Sequence, residues 1–76
     1  MLGEYMGTVE FRVVPQEGHW CVVVGDRYHG HYSTEEEAAT EAINVARSTR
    51  LMGFSSVVIL EAEDRQAPTV LWPKAA

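Results

Sequence analysis

The sequence predicts an α+β fold, a two-layer sandwich of order β-β-β-α-β-β. One amphipathic helix packs on one face of a mainly antiparallel sheet. Three observations predict it: period-two alternation early in the chain, a capped helical pattern in the middle, and two short β-rich runs after it. The 76 residues make a single domain, 1–76, whose structured core runs over about 8–73.

The first strand is "TVEFRVVP", residues 8–15, where Val9, Phe11 and Val13 alternate with Glu10, Arg12 and Val14. Pro15 stops it, because proline has no N–H to give a sheet ladder, and "QEG" turns the chain. "HWCVVVGDRYHGHY", 19–32, reads as two β-rich runs around Gly25-Asp26, a hairpin signal.

"STEEEAATEAINVARSTRLMG", 33–53, carries nearly every local signal of a helix. Ser33 or Thr34 can cap its start, with Glu36 or Glu37 three residues on for a capping box. Glu35, Glu36 and Glu37 in the first turn and Arg47 and Arg50 near the end complement the helix dipole. Gly53 supplies the left-handed residue past its end. Ala38, Ala39, Ala42, Ile43, Val45, Ala46 and Met52 form a stripe at helical spacing, small enough for close packing on a sheet. "SSVVILEAE", 55–63, is a fourth strand, "DRQAP" a turn, and "TVLW", 69–72, a short fifth strand ended by Pro73. The closing "WPKAA" reads as a frayed tail.

One helix covers one sheet face, so the other face is expected to be polar. Aromatic content assigns Val9, Phe11, Val13, Trp20, Val22, Val24, Tyr28, Gly30 and Tyr32 to the helix side, with Val58, Leu60 and Ala62. The outward set is then Glu10, Arg12, Val14, His19, Cys21, Val23, Arg27, His29, His31, Val57, Ile59 and Glu61, a mixed face. Val14, Val23, Val57 and Ile59 would form one apolar patch if their strands are neighbours, and such patches mark interaction surfaces. Hairpin register decides the outcome. A two-residue Gly25-Asp26 loop puts His29 and His31 beside Trp20, whereas an odd-length loop gives the outward set above.

Composition narrows the function. Eleven acidic against six basic residues, net charge −5, make a surface that repels phosphate and speaks against direct nucleic-acid binding. The single cysteine, Cys21, excludes an internal disulfide framework and a cysteine zinc cage, which fits a reducing cytoplasm. The opening "MLGEYMGTVE" has neither a basic n-region nor a long apolar run, so it is expected to be neither signal peptide nor membrane anchor. His19, Cys21, His29 and His31 have the chemistry of zinc ligands, but no tight turn fixes any pair, and the expectation is no metal and no cofactor. No phosphate loop, paired-carboxylate cleft or nucleophile–base order is visible, so the chain is not expected to be an enzyme. Glu35, Glu36, Glu37 and Glu41 serve capping and solubility, and can also steer the domain onto a basic protein groove.

"VVP", "HWCVV" and "YSTEEEA" together resemble a small bacterial family, domain of unknown function 2188. Its pattern is V-x-P, G-W-x-V, then an aromatic, T-x-x-E-A and an alanine-rich helix. Val13 or Val14 with Pro15, Trp20 with Val22, and Tyr32-Ser33-Thr34 through Glu37-Ala38 carry the likeness over residues 11–50. His19 interrupts the Gly-Trp pair, and "EDRQAPT" stands where that family has an Asp-Gly turn. The likeness implies a fold and no activity. In layout, with "SSVVILEAE" and "TVLWP", the chain is also similar to small phage-encoded anti-CRISPR proteins of the type I inhibitors. That resemblance implies a small acidic protein offering a binding surface.

The expected function is a non-enzymatic protein-binding module, an inhibitor of a host nucleic-acid-handling complex. The alternatives are a homodimeric structural protein and a nucleic-acid-binding sheet domain. The residues expected to bind protein are Val14, Cys21, Val23, His29, His31, Glu35, Glu36, Glu37, Val57 and Ile59.

Overall fold

A computed structural model of the chain describes residues 7–62 and 67–73. Five strands and one helix follow in the order β1 (Thr8–Gln16), β2 (His19–Val24), β3 (Arg27–Tyr32), α1 (Glu35–Leu51), β4 (Ser55–Leu60) and β5 (Thr69–Trp72). The strands form one sheet in the order β3-β2-β1-β4-β5. Three of its pairs are antiparallel and β1–β4 is parallel. The fold is the α+β sandwich expected, with the last described residue of β4 at Leu60 rather than 63. Glu63, and residues 64–66 of the "DRQAP" turn, lie outside the described residues.

β1 is central because its alternation places Phe11 and Val13 under the helix, both buried. Register aligns Phe11 with Val24 and Val58, and Val13 with Val22 and Leu60, so three strands meet in one apolar floor. Ala38, Ala42 and Ala46, one turn apart on α1, are buried against it. Without bulk beyond Cβ they let the helix axis approach the sheet closely. Ala39 and Ile43 flank them, half-buried. Val45 and Met52, expected in the same stripe, are exposed at 44% and 68%: Val45 lies at the edge of the alanine face and Met52 is the cap residue past the end of α1. Buried Ser56 faces the helix and donates from Oγ to the Ala46 carbonyl at 2.8 Å, tying β4 to α1.

The helix ends behave as their chemistry dictates. Thr34 Oγ1 accepts from the Glu37 N–H at 3.1 Å, and the Glu37 carboxylate accepts from the Ser33 N–H at 3.0 Å. The chain leaves through Met52 and Gly53, whose N–H donates to the Arg50 carbonyl. At the far side, Trp72 of β5 packs on the core beneath the Arg50 guanidinium, 4.8 Å from the ring centre. Of the stretch expected to fray, Trp72 is therefore held.

The β2–β3 hairpin settles the faces. Val24 pairs with Arg27, so the loop is the two residues Gly25-Asp26, with Gly25 at φ +64 as the first position of a type II′ turn requires. That even loop aligns His29 with Val22 on the helix side and Tyr28 with Val23 on the other. Tyr28 inward and Arg27 and His29 outward are thus corrected together. The register then shifts between Val22 and Trp20, and the extra residue returns Tyr32 to the helix side and His31 to the opposite one. Gly30 makes the bulge possible. Its φ is +80, and a Cβ there would overlap the Tyr32 ring. Replacing Gly30 with alanine is expected to destabilise the fold by about 1–3 kcal/mol, read as a lower midpoint in urea unfolding.

Candidate functional site

Strand alternation projects Arg12 and Val14 away from the helix, and with them one whole face of the sheet. Tyr28, Val23, Arg12, Ile59 and Val70 form a single row across all five strands. Cys21 lies beside Val14 in the next row, and Val57 beside Glu10 on the other side. The four residues Val14, Val23, Val57 and Ile59 therefore share a face on adjacent strands, but Arg12 stands between Val23 and Ile59. Its Nη1 donates to Glu61 Oε1 at 3.0 Å, with both side chains about one-third exposed (33% and 37%). Cys21 and Val23 are buried, Val14, Val57 and Ile59 half-buried, and Tyr28 and Val70 exposed at opposite ends of the row. No helix covers this face among the described residues.

The remaining site candidates separate. His31 joins this face and stacks on His19, ring centres 3.7 Å apart and planes 9° from parallel. His29 is on the other side of the sheet, so the two-residue turn separates it from His19, Cys21 and His31. No group of three or more His, Cys, Asp or Glu is placed to hold a metal among the described residues. Glu35, Glu36 and Glu37 sit on the first turn of α1, in the helix layer. Glu37 is committed to the cap, Glu36 is exposed and Glu35 half-buried. The expected set is thus three places: an open sheet face, a helix start, and His29 alone.

His29 has its own surroundings, which sequence reading missed. A cleft of about 420 Å³ opens between α1 and the β2–β3 side of the sheet. Phe11, Val22 and Val24 contribute to its lining from the sheet, with His29 and Tyr32 from β3 and Glu41 from α1. Burial, then the Glu41 carboxylate and last the neighbouring Cys21, push the Tyr32 phenol above its ordinary 10.0. The sequence pattern places Tyr32 in packing against the helix and Glu41 among the surface charges. The signal available was their spacing from the bulge glycine, which acquires meaning only once the register is known. No helix among the described residues is long and apolar enough to cross a membrane. No family model, curated protein or solved structure matches the chain.

Two predictions follow from these contacts. Because Arg12 and Glu61 are both partly solvated, a double-mutant cycle with Arg12→Gln and Glu61→Gln is expected to give a coupling below about 1 kcal/mol that shrinks further in salt. For Tyr32 the folded protein prefers the neutral phenol, so its contribution is complete below the unfolded value of 10.0 and is lost as pH rises through the higher folded value. The fall in stability above pH 10.0 should be shallower in Tyr32→Phe than in the native chain, measured by urea unfolding at stepped pH.

Proposed function

We propose that this chain is a non-enzymatic protein-binding module that docks through its open sheet face. The observation that carries the reading is the uncovered sheet face, where half-buried Val14, Val57 and Ile59 and exposed Tyr28 and Val70 surround the Arg12–Glu61 pair, with no helix over them among the described residues. Apolar side chains left uncovered around a polar pair are the composition of an interaction surface. The chain's net charge of −5 supports a basic partner surface, the kind that nucleic-acid-handling complexes present. Glu35 and Glu36 add to that attraction from the helix start, where they also favour the helix dipole. The layout likeness to small anti-CRISPR inhibitors agrees with such a partner. The phosphate-repelling charge weighs against the nucleic acid itself.

A second reading rests on the Arg12–Glu61 pair. Opposite charges close together on one face are self-complementary about a two-fold axis, so two copies closing sheet on sheet can exchange these partners.

Three forms of the chain separate the readings: native, Ile59→Glu, and Glu35, Glu36 and Glu37 all changed to lysine. Affinity capture from the native host at low and high salt is compared with sedimentation of each form. The inhibitor reading expects Ile59→Glu to lose capture, and the charge-reversed form to bind weakly with little salt dependence. Equal capture by all three would sink it. A native dimer that Ile59→Glu converts to monomer, with the lysine form still dimeric, establishes the second reading. Retardation of DNA or RNA in a low-salt gel would overturn both in favour of a nucleic-acid binder.

A further inference from the structure

The cleft on the helix side is independent of the open face and has the build of a ligand site. Its volume, about 420 Å³, falls within the range of small-molecule pockets, roughly 300–1,000 Å³. Its sheet side is apolar and shared with the core: Phe11 and Val22 are buried members of the core cluster, and Val9 and Val24 pack beside them. On the helix side the wall is Ala42 and Val45. Val45 is a large apolar side chain exposed at 44%, and its exposed surface faces this space.

The polar groups have a definite sign. Among the described residues Glu41 is the one carboxylate in the lining, and no lysine or arginine belongs to it. Arg27, two residues before His29 on the same side of β3, stays outside the lining. The Thr49 hydroxyl is already engaged, donating to the Val45 carbonyl at 2.9 Å. The rings of Tyr32 and His29 share the lining with Glu41, and the Glu41 charge is felt at the Tyr32 phenol. An aromatic face and a carboxylate next to an apolar floor recognise one chemistry well: a hydrophobic body ending in a positive nitrogen.

We propose that the cleft between α1 and the β2–β3 hairpin binds a small hydrophobic ammonium, its apolar body on Phe11 and Val22 and its cation between Glu41 and Tyr32. The Gly30 bulge is what places Tyr32 there. Were β3 regular, Tyr32 would stay on the face opposite His29, and its ring would be lost from the cleft.

The test uses three soluble probes of one shape on the full chain: 2-phenylethylamine, 2-phenylethanol and 3-phenylpropanoate, followed by amide chemical shifts. The amine is expected to bind roughly three- to tenfold tighter than the alcohol, and the carboxylate weakest. Shifts should cluster at Val22, Val24, Ala42 and Val45. Glu41→Gln is expected to bring the amine down to the affinity of the alcohol. Val45→Trp, which fills the cleft from an exposed position, should abolish binding of both while the rest of the spectrum stays native. The proposal is overturned by equal affinities, by a preference for the carboxylate, or by shifts at Tyr28 and Val57 instead. It is also overturned if nothing saturable appears at about 10 mM, a concentration at which even millimolar binding registers.

Discussion

Among the described residues one helix faces five strands, and most of this structure follows from that mismatch. Strands about 4.8 Å apart place the outer two roughly 19 Å from each other, whereas a helix with its side chains is about 10–12 Å across. Something must be left bare on the helix side, and the alanine stripe decides where. Ala38, Ala42 and Ala46 seat α1 chiefly over β1 and β4, on Phe11, Val13, Val58 and Leu60. The two flanks are then treated differently. Toward β5 the gap is filled by Leu71 and by Trp72 under the Arg50 guanidinium. Toward β3 the strand contributes Arg27, His29 and Tyr32 to that side, and only Tyr32 packs on the core. The cleft is what remains.

The second determinant is parity on β3. In a strand each residue faces opposite to the last, so a hairpin loop of even or odd length exchanges two whole sets of side chains. The Gly25-Asp26 turn uses two residues and directs His29 inward and Tyr28 outward. Gly30 then inserts one residue against β2 and reverses the sense for the last two positions. One strand thereby serves both surfaces: Tyr28 and His31 on the open side, His29 and Tyr32 on the other. β3 is also an edge, and its short length, bulge and basic or titratable side chains limit further strand pairing there.

These two features mark the boundary of what the sequence reveals. Local rules located the helix and its Thr34–Glu37 cap, the five strands and the buried alternation of β1, because each depends on neighbours within a few residues. Both turn lengths were equally open for β3, and aromatic content chose the wrong one for Tyr28. Burying the larger ring is a sound prior, but the II′ geometry of Gly25 outweighs it. The open face was legible once β2, β1 and β4 are neighbours, except that Arg12 divides its valines. The cleft was not legible at all, since it depends on where α1 sits across the sheet, a quantity no periodicity encodes.

The two surfaces share β1 and β2 back to back, which makes them chemically opposed rather than continuous. Arg12 and Val14 face one way while Phe11 and Val13 face the other, so the cation Arg12 and the anion Glu41 are separated by the sheet. The acidic charge of the cleft is therefore not neutralised at contact range by Arg12, which is paired with Glu61 on the open face. A chain of this size rarely has a second surface to spare. Here the second arises without added residues, because the helix that builds the core is narrower than the sheet it serves.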